Sequence, residues 1–518
     1  MVSRPGPARR ARARAATPAA ALALGALLAG CTGGGPAAAP TGSSPAPGPA
    51  SSSAPAVVDD GVPSAGADGA GDPYFPLDGN GGYDALHYDL RVSVGADLRT
   101  ITGDATLTAR TTQALSAYDL DLHGLTVSSV TVDGRAARWE RDGQELVITP
   151  AAPLRAGTTF RTRVRYAGSP TLLPGDDGVQ NGWYVGQGGA AVLGEPQGAS
   201  VWFPVSEHPS DKATYTVTVS VPQGRTAVSN GLPVGPPVTA GGRTTWRWRT
   251  QHPMASYLVL LAVGDLTLHR WTTDSGLPVV DAVGPGVPAS ANAALARQGE
   301  VIDVLSATFG PYPFEAAGAV VVPEVPQVAL ETQTRPVYGA PIMSGDHPVY
   351  VLAHELAHQW FGDSVSLSSW RDVWLNEGFA TYAEYLWGQH VDGLDPATMI
   401  TRELSSAPAD DPFWTTDISD PGPQHLFDAA VYYRGACVLE ALREVVGDDA
   451  FRTTLRRWAA EHRDGNGTTA AFVALAQQVS GRDLTAVFDT WLYSTHKPDG
   501  WDPAAVAAAA PVGSAPTA

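Results

Sequence analysis

Lysine and cysteine are both scarce in this chain of 518 residues. Lys212 and Lys497 are its only lysines, so arginine carries nearly all of the positive charge. Two cysteines, Cys31 and Cys437, are too few for a disulfide scaffold. The 33 basic residues face 52 acidic ones, which gives a net charge of −19. Because nucleic-acid binding needs a basic surface, we expect no nucleic-acid partner.

Long apolar runs are also absent after the amino terminus, so nothing there predicts a membrane-spanning helix, which needs about 20 apolar residues. Hydrophobic residues nevertheless make up 44% of the chain. That share supports well-packed cores and excludes a wholly disordered chain or a coiled coil. The length predicts two or three domains.

The first 30 residues have the pattern of an export signal. Five arginines lie between residues 4 and 14, no acidic residue precedes Asp59, and a short Ala/Leu-rich stretch ends at Cys31. A basic segment before a short apolar one is typical of a secretory signal peptide. The tetrapeptide Leu28-Ala29-Gly30-Cys31 resembles a bacterial lipobox, which implies cleavage before Cys31 and lipidation of its thiol. We therefore predict an extracytoplasmic protein that is anchored to the membrane by acyl chains alone.

The composition divides the rest of the chain into four parts. Residues 31–72 are mostly Ala, Gly, Pro, Ser and Thr, which predicts a disordered tether. Period-two alternation, as in TFRTRVRYAG and TYTVTVSV, predicts an antiparallel β domain over residues 73–265. Helical periodicity then predicts a mostly helical domain over residues 266–498, so the fold class is α+β with separate domains. Residues 499–518 are expected to be a disordered tail.

The motif His354-Glu355-Leu356-Ala357-His358 carries the strongest chemical signal. Two histidines at positions i and i+4 share one face of a helix, so both imidazoles reach a single ion. Glu355 lies about 100° round the helix from His354, where it can face water beside the metal. The alternative is a solvated helix with two unrelated histidines.

A catalytic zinc ion usually takes three protein ligands. Glu377, 19 residues after His358 in the stretch WLNEGFATYAEYLW, is predicted to be the third, on a second helix that packs against the first. Glu384 lies two turns further along. It is either a surface residue or the acceptor for the outer N–H of a ligand histidine.

The spacing HExxH-x18-E with NEGFA resembles the zinc aminopeptidases of the aminopeptidase N family, which are of the gluzincin type. The stretches GDPYFPLDGNGGYDALHYDL and WFPVSEHPSDKATY resemble the family's amino-terminal domain. This resemblance covers roughly residues 72–498. It implies a saddle-like β domain followed by a thermolysin-like catalytic domain that holds one zinc ion per chain.

Two further motifs carry family roles onto this chain. Val328-Ala329-Leu330-Glu331-Thr332 matches the family's GxMEN motif at Glu331 and departs from it at Val328, Leu330 and Thr332. The resemblance implies that Glu331 holds the substrate's free amine. Gln197, in GEPQGAS, is either a second amine contact or an ordinary loop residue.

The second motif, Val431-Tyr432-Tyr433-Arg434-Gly435, matches VYEKG of the family. Tyr432 takes the position of the family's catalytic tyrosine. Adjacent helical residues point about 100° apart, so Tyr432 and Tyr433 do not both face the metal. Without a metal site, both would be half-buried helix aromatics.

These features together predict a zinc metallopeptidase that removes amino-terminal residues from peptides, acting as a monomer. Glu355 is the expected general base, and the Tyr432 hydroxyl is expected to stabilise the oxyanion. A thermolysin-like zinc endopeptidase is the first alternative, and Glu331 discriminates against it because an endopeptidase has no amine to bind. The second alternative is a surface-binding lipoprotein with an inactive site.

Overall fold

The computed structural model describes residues 61–175, 179–186, 188–404 and 407–498. The predicted signal peptide, Cys31, the tether up to residue 60 and the tail lie outside these ranges. None of the helices in the described part of the chain is long and apolar enough to cross a membrane.

Most of the strands precede most of the helices. The strands are β1 (Ser64–Ala65), β2 (Tyr83–Val94), β3 (Ile101–Thr111), β4 (Leu115–Ala117), β5 (Thr126–Val132), β6 (Arg135–Ala136), β7 (Arg138–Asp142), β8 (Glu145–Thr149), β9 (Thr159–Gly168), β10 (Leu172–Leu173), β11 (Asn181–Val185), β12 (Gly189–Leu193), β13 (Thr214–Pro222), β14 (Thr226–Ser229), β15 (Leu232–Pro233), β16 (Val238–Ala240), β17 (Arg243–Arg249), β18 (Leu261–Gly264), β19 (Thr267–Thr272), β20 (Pro278–Val283), β21 (Ala317–Val322), β22 (Ala329–Leu330), β23 (Val337–Gly339), β24 (Val365–Leu367) and β25 (Gly465–Gly467). The helices are α1 (Ala289–Leu295), α2 (Gln298–Phe309), α3 (Pro348–Ala357), α4 (Trp374–Asp392), α5 (Pro396–Leu404), α6 (Pro412–Thr415), α7 (Ala429–Val446), α8 (Asp448–Glu461), α9 (Thr469–Ser480) and α10 (Thr485–Trp491).

A long sheet in the order β15-β17-β13-β2-β3-β9-β5-β6 forms the main layer of the amino-terminal domain. Its alternation sorts side chains between two faces: Phe160 and Val164 of β9 are buried while Arg163 between them is exposed. Neighbouring strands are antiparallel except β2 and β13, which run parallel. Parallel neighbours need a long crossover, and here the connection from β2 to β13 includes β10, β11 and β12, three strands of a second sheet in the order β10-β11-β12-β18-β14. Period-two alternation does not reveal strand direction, so the one parallel pair was not expected.

The second domain begins with the sheet β19-β20-β21-β23-β22, and helices follow it. Helix α4 lies at its centre, buried along most of its length and packed against α3 and α7. The fold class predicted from the sequence, a β domain followed by a mostly helical catalytic domain, is confirmed.

The predicted tether extends too far at its carboxyl end. Strand β1 pairs with β4 in parallel, so ordered structure begins before residue 72. Asp72 is buried, and its carboxylate accepts hydrogen bonds from Ser369 Oγ (2.8 Å) and the Trp370 amide (2.9 Å) of the second domain. Small polar residues resemble a linker in composition, but here strand pairing and a buried ion compensate for the missing apolar surface.

Lys212 joins the two domains from the other direction. Its ammonium donates hydrogen bonds to the backbone oxygens of Asp363 (2.8 Å), Ser364 (2.9 Å) and Gly465 (3.2 Å). Three charge-assisted bonds at one buried point hold the amino-terminal domain against the segment that follows α3.

Candidate active site

The HExxH motif lies at the end of α3. The helix begins at Pro348, whose fixed φ suits the first turn, and it ends at Ala357. His358 follows as the C-cap with helical angles (φ −56°, ψ −24°), so the i, i+4 relation to His354 persists. The two imidazole centroids are 4.9 Å apart.

Glu377, in the first turn of α4, approaches both imidazoles. Its Oε2 atom is 3.2 Å from His354 Nε2 and 3.5 Å from His358 Nε2. All three residues are buried, and one ligand atom from each lies within 4.8 Å of the others. The structure therefore brings together the three residues that were predicted to hold the metal.

Both histidines have partners on their outer nitrogens. His354 Nδ1 is 2.8 Å from Glu384 Oε1, and His358 Nδ1 is 3.1 Å from the Phe361 carbonyl oxygen. An Nδ1–H donor on each ring leaves Nε2 as the ligand atom, which is the usual arrangement around a protein-bound metal. Glu384 is therefore the acceptor for the outer N–H of His354, which was the second of the two alternatives that the sequence left open.

The chemistry of these three side chains suits a metal cation. Burial alone would raise the pKa of Glu377, but the adjacent His358 and His354 lower it, and Glu377 in turn raises the pKa of both imidazoles. A cation bound at the Nε2 atoms would take the place of the imidazolium protons. Two histidines and one carboxylate are a ligand set of catalytic zinc sites, so these residues fit that ion.

A close contact between two helices positions Tyr432. Gly378 of α4 faces Gly435 of α7, and a Cβ built on Gly378 would lie 2.7 Å from the Gly435 Cα. At this spacing the ring of Tyr432 stacks on His354, with centroids 5.9 Å apart and an interplanar angle of 20°. Tyr433 lies instead beside Glu403 and Glu384.

Glu355 lies between the metal ligands and the neighbouring acidic groups. It is buried, and burial raises its pKa to about 8 although both histidines act to lower it. Its carboxylate also forms a cluster with Glu331 and His358 in which the ligand atoms lie within 4.8 Å of one another. The base and the predicted amine-binding residue thus lie beside one another.

Glu331 follows the short strand β22 and is buried. Gln359, the residue after the second histidine, fixes this segment to the end of α3. Its Nε2 donates to the Glu331 carbonyl oxygen (2.8 Å), and its Oε1 accepts from the Thr334 amide (2.7 Å). At the substituted position Thr332, the hydroxyl donates to the Arg335 carbonyl oxygen (2.7 Å) and so closes the turn.

One acidic residue of this site, Glu195, belongs to none of the motifs that the sequence shows. It lies in the loop after β12, and burial raises its pKa, as do the negative charges of Glu331, Glu377 and Glu355. The available signal was a carboxylate in the GEP stretch, two residues before Gln197. Gln197 itself is half-buried and lines a cavity that Glu195 also lines.

The fold and the site define a two-domain protein whose catalytic domain carries a metallohydrolase centre. Two family models match the chain: the peptidase M1 N-terminal domain over residues 84–258 and the peptidase family M1 domain over residues 293–491. The chain belongs to peptidase family M1.

Its relatives include aminopeptidases of very different organisms. Aminopeptidase N of Lactobacillus helveticus is 28% identical over 78% of this chain and 50% of the relative. Human endoplasmic reticulum aminopeptidase 1 is 25% identical over 73% of this chain and 43% of the relative. The chain thus spans about half the length of these curated relatives.

Solved structures match over nearly their whole length. An M1 zinc metallopeptidase from Deinococcus radiodurans is 34% identical, with a TM-score of 0.77, over 83% of this chain and 98% of that one. A mutant of the Deinococcus enzyme bound to the peptide Tyr-Ser-Ala matches with the same identity and TM-score. This two-domain arrangement therefore occurs elsewhere in the family.

Proposed function

We propose that this protein is a zinc-dependent aminopeptidase that removes amino-terminal residues from peptides. The observation that carries the proposal is a pair of carboxylates beside the metal-ligand cluster, the half-buried Glu195 and the buried Glu331, each with a buried oxygen atom. One oxygen of each has no hydrogen-bond partner among the described residues. Because an unpaired buried polar group is costly, these oxygens require a donor or a cation from the substrate. A free α-ammonium group supplies both.

Glu355 and Tyr432 have different roles in hydrolysis. When bound, zinc supplies Lewis-acid chemistry, which acidifies water and polarises a peptide carbonyl. Glu355 accepts a proton from the attacking water and delivers it to the departing amine. Burial raises the pKa of Tyr432, so its hydroxyl stays protonated and donates a hydrogen bond to the developing oxyanion.

Glu331 and Glu195 hold the substrate's ammonium beside Glu355 and the metal ligands, with Gln197 as a further polar contact. Fixing the α-amine this close to the metal places the first peptide bond there. Cleavage then falls after the first residue.

A panel of aminoacyl amides and their N-acetylated counterparts tests this function. We expect rapid hydrolysis of the free forms, loss of activity with a chelator, and recovery when zinc is restored. Elemental analysis should find one zinc per chain. Equal cleavage of blocked and free substrates would favour a thermolysin-like endopeptidase instead.

We further propose that the protein is a monomer outside the cytoplasm, anchored to the membrane through lipidated Cys31, with no nucleic-acid partner. The basic segment, the short apolar stretch and the sequence Leu28-Ala29-Gly30-Cys31 support the anchor. Cys31→Ser should move the protein from the membrane fraction to the soluble one. Mass spectrometry should find acyl chains on native Cys31, and an unmodified, unprocessed amino terminus would contradict the anchor.

A further inference from the structure

A second feature of the site is a cavity of about 260 Å³ between the two domains. Leu173, Glu195 and Gln197 line it from the amino-terminal domain, and Phe427 and Asp428 line it from the segment just before α7. Glu195 belongs to both this cavity and the acidic cluster beside the metal ligands. A substrate whose amine is held at Glu195 therefore has this cavity within reach of its first side chain.

Phe75 completes the wall of the cavity, and it comes from an unexpected part of the chain. It lies in residues 72–76, which precede β2 and which we call the strap. The Phe75 ring packs edge-on against Trp370 of the catalytic domain, with centroids 6.3 Å apart and an interplanar angle of 87°. The strap thus inserts an aromatic ring between the domains.

Two residues of the strap that precede Phe75, Asp72 and Tyr74, attach it to the catalytic domain. Asp72 accepts hydrogen bonds from Ser369 and the Trp370 amide, and also from the Tyr74 amide (2.8 Å). The Tyr74 hydroxyl donates to Asp420 and accepts from the Gly422 amide (2.9 Å). These bonds leave Phe75 little freedom to withdraw from the cavity.

We infer that Phe75 is a specificity-determining residue, and that the cavity it closes receives a large aromatic side chain as the first residue of the substrate. This inference rests on the proposed aminopeptidase function. The volume is sufficient, because a cavity of about 150 Å³ already holds benzene. Phe75, Phe427 and Leu173 form an apolar, partly aromatic wall of the kind that a ring prefers, and polar side chains such as Asn181, Gln197 and Gln424 line much of the rest.

The charges around the cavity exclude another class of side chain. Its lining within the described residues contains the acids Glu195 and Asp428 and no lysine, arginine or histidine. An acidic first side chain would therefore enter without a cationic partner and beside two carboxylates, which disfavours it, whereas the same carboxylates would attract an arginine or lysine side chain. Small side chains would leave most of the cavity unfilled.

The test compares kcat/KM for phenylalanine amide, alanine amide and glutamate amide. The native enzyme should prefer them in that order. Phe75→Ala should reduce kcat/KM for phenylalanine amide by about 10-fold more than kcat/KM for alanine amide, as expected when a large apolar contact is lost. Phe75→Tyr should keep most of the ratio. As a matched control, Trp139→Ala removes a partly exposed aromatic residue of β7 and should leave the ratio unchanged.

A binding measurement separates this inference from the proposed function. In the zinc-loaded Glu355→Gln variant, phenylalanine amide should raise the melting temperature more than alanine amide does, and adding Phe75→Leu should reduce that difference. If the native enzyme hydrolyses no amide but the binding preference follows Phe75, the proposed function fails and the inference stands. If hydrolysis is normal but Phe75→Ala and Phe75→Leu leave the preference intact, the inference is wrong. A native preference for alanine or glutamate amide would also overturn it.

Discussion

The site has a metal end and an amine end, which are built in contrasting ways. At the metal end, His354, His358 and Glu377 come from two adjacent helices, and the outer nitrogen of each histidine already has an acceptor. At the amine end, Glu195 and Glu331 come from loops of different domains, and each retains an oxygen without a partner in the described structure.

The contrast shows that folding alone completes the hydrogen bonds of the metal ligands, whereas those of the acidic pair are completed only when a substrate binds. The metal ligands are oriented before substrate arrives, as a preorganised catalytic centre requires. The acidic pair stays energetically unsatisfied until a cation enters. In the proposed function, selectivity for a free amine therefore resides in the loops, and the capacity for hydrolysis resides in the helices.

The largest effect should follow from a change at the metal end. Glu355→Gln removes the proton acceptor, and we expect turnover to fall by roughly 10²–10⁴-fold. Zinc content should remain one per chain because no ligand changes. The preference for free over blocked substrates should persist in the residual activity, since the amine end is intact. Loss of zinc from this variant would show that Glu355 supports metal binding as well as proton transfer.

The two adjacent tyrosines test how α7 is oriented. Tyr432 stacks on His354, whereas Tyr433 lies beside Glu403 and Glu384. Tyr432→Phe should lower kcat by roughly 10²–10³-fold with little change in KM, because one oxyanion donor is lost. Tyr433→Phe is the matched control and should change kcat by less than about 3-fold. The reverse pattern would contradict the assignment of Tyr432.

A change in the spacing between α4 and α7 should have a smaller effect on kcat. Gly378→Ala places a methyl group against Gly435, so α4 and α7 must separate. Overpacking of this kind costs about 1–3 kcal/mol of unfolding free energy. Since α4 carries Glu377 and α7 carries Tyr432, we expect kcat to fall together with the melting temperature. Ala383→Gly, in the same helix, should lower stability without separating the helices. An unchanged kcat in Gly378→Ala would contradict the need for this spacing.

Replacing Asp72 of the strap should change stability with a distinct pH dependence. Burial alone would raise the pKa of Asp72, but hydrogen bonds from His208, Trp370, Tyr74 and Ser369 lower it below its usual value. Asp72 therefore stabilises the fold above the ordinary carboxyl pKa near 4, and this contribution is lost as the pH falls toward its lower folded value.

Replacing the Asp72 carboxylate tests the direction of this pH dependence. Asp72→Asn should lower the free energy of unfolding at pH 7 by about 1.5–3 kcal/mol, the range for hydrogen bonds to a charged group. The difference from the native protein should shrink below pH 4, as urea titrations at pH 7 and pH 3.5 would measure. A difference that grows in acid would mean that Asp72 is protonated in the native fold.

The sequence predicts the metal end better than the amine end for a physical reason. The spacing of His354, His358 and Glu377 is a property of helices, whose geometry is regular enough to place side chains from residue numbers alone. The contact between Glu384 and His354 follows from the same regularity. Fold class was predictable because period-two and helical patterns occupy separate parts of the chain.

Glu195 and the strap depend on how the domains dock, which no local pattern encodes. Nothing in the GEP loop indicates that its carboxylate comes close to a helix more than 150 residues later. Residues 61–72 have the composition of a linker, yet Asp72 is held by groups some 300 residues away. Long-range contacts of this kind become visible only in the folded chain.

Selectivity for a free amine is measured most directly by the ratio of kcat/KM for a free aminoacyl amide to that for its N-acetylated form. We expect a large ratio in the native enzyme and a collapse in Glu331→Ala. Truncating one partner of a buried charge pair costs about 2–5 kcal/mol, so the ratio should fall by roughly 30-fold to several thousand-fold. Thr332→Ser, a matched neighbour that keeps its hydroxyl, should preserve the ratio. A native ratio near one, or a ratio unchanged in Glu331→Ala, would contradict the account.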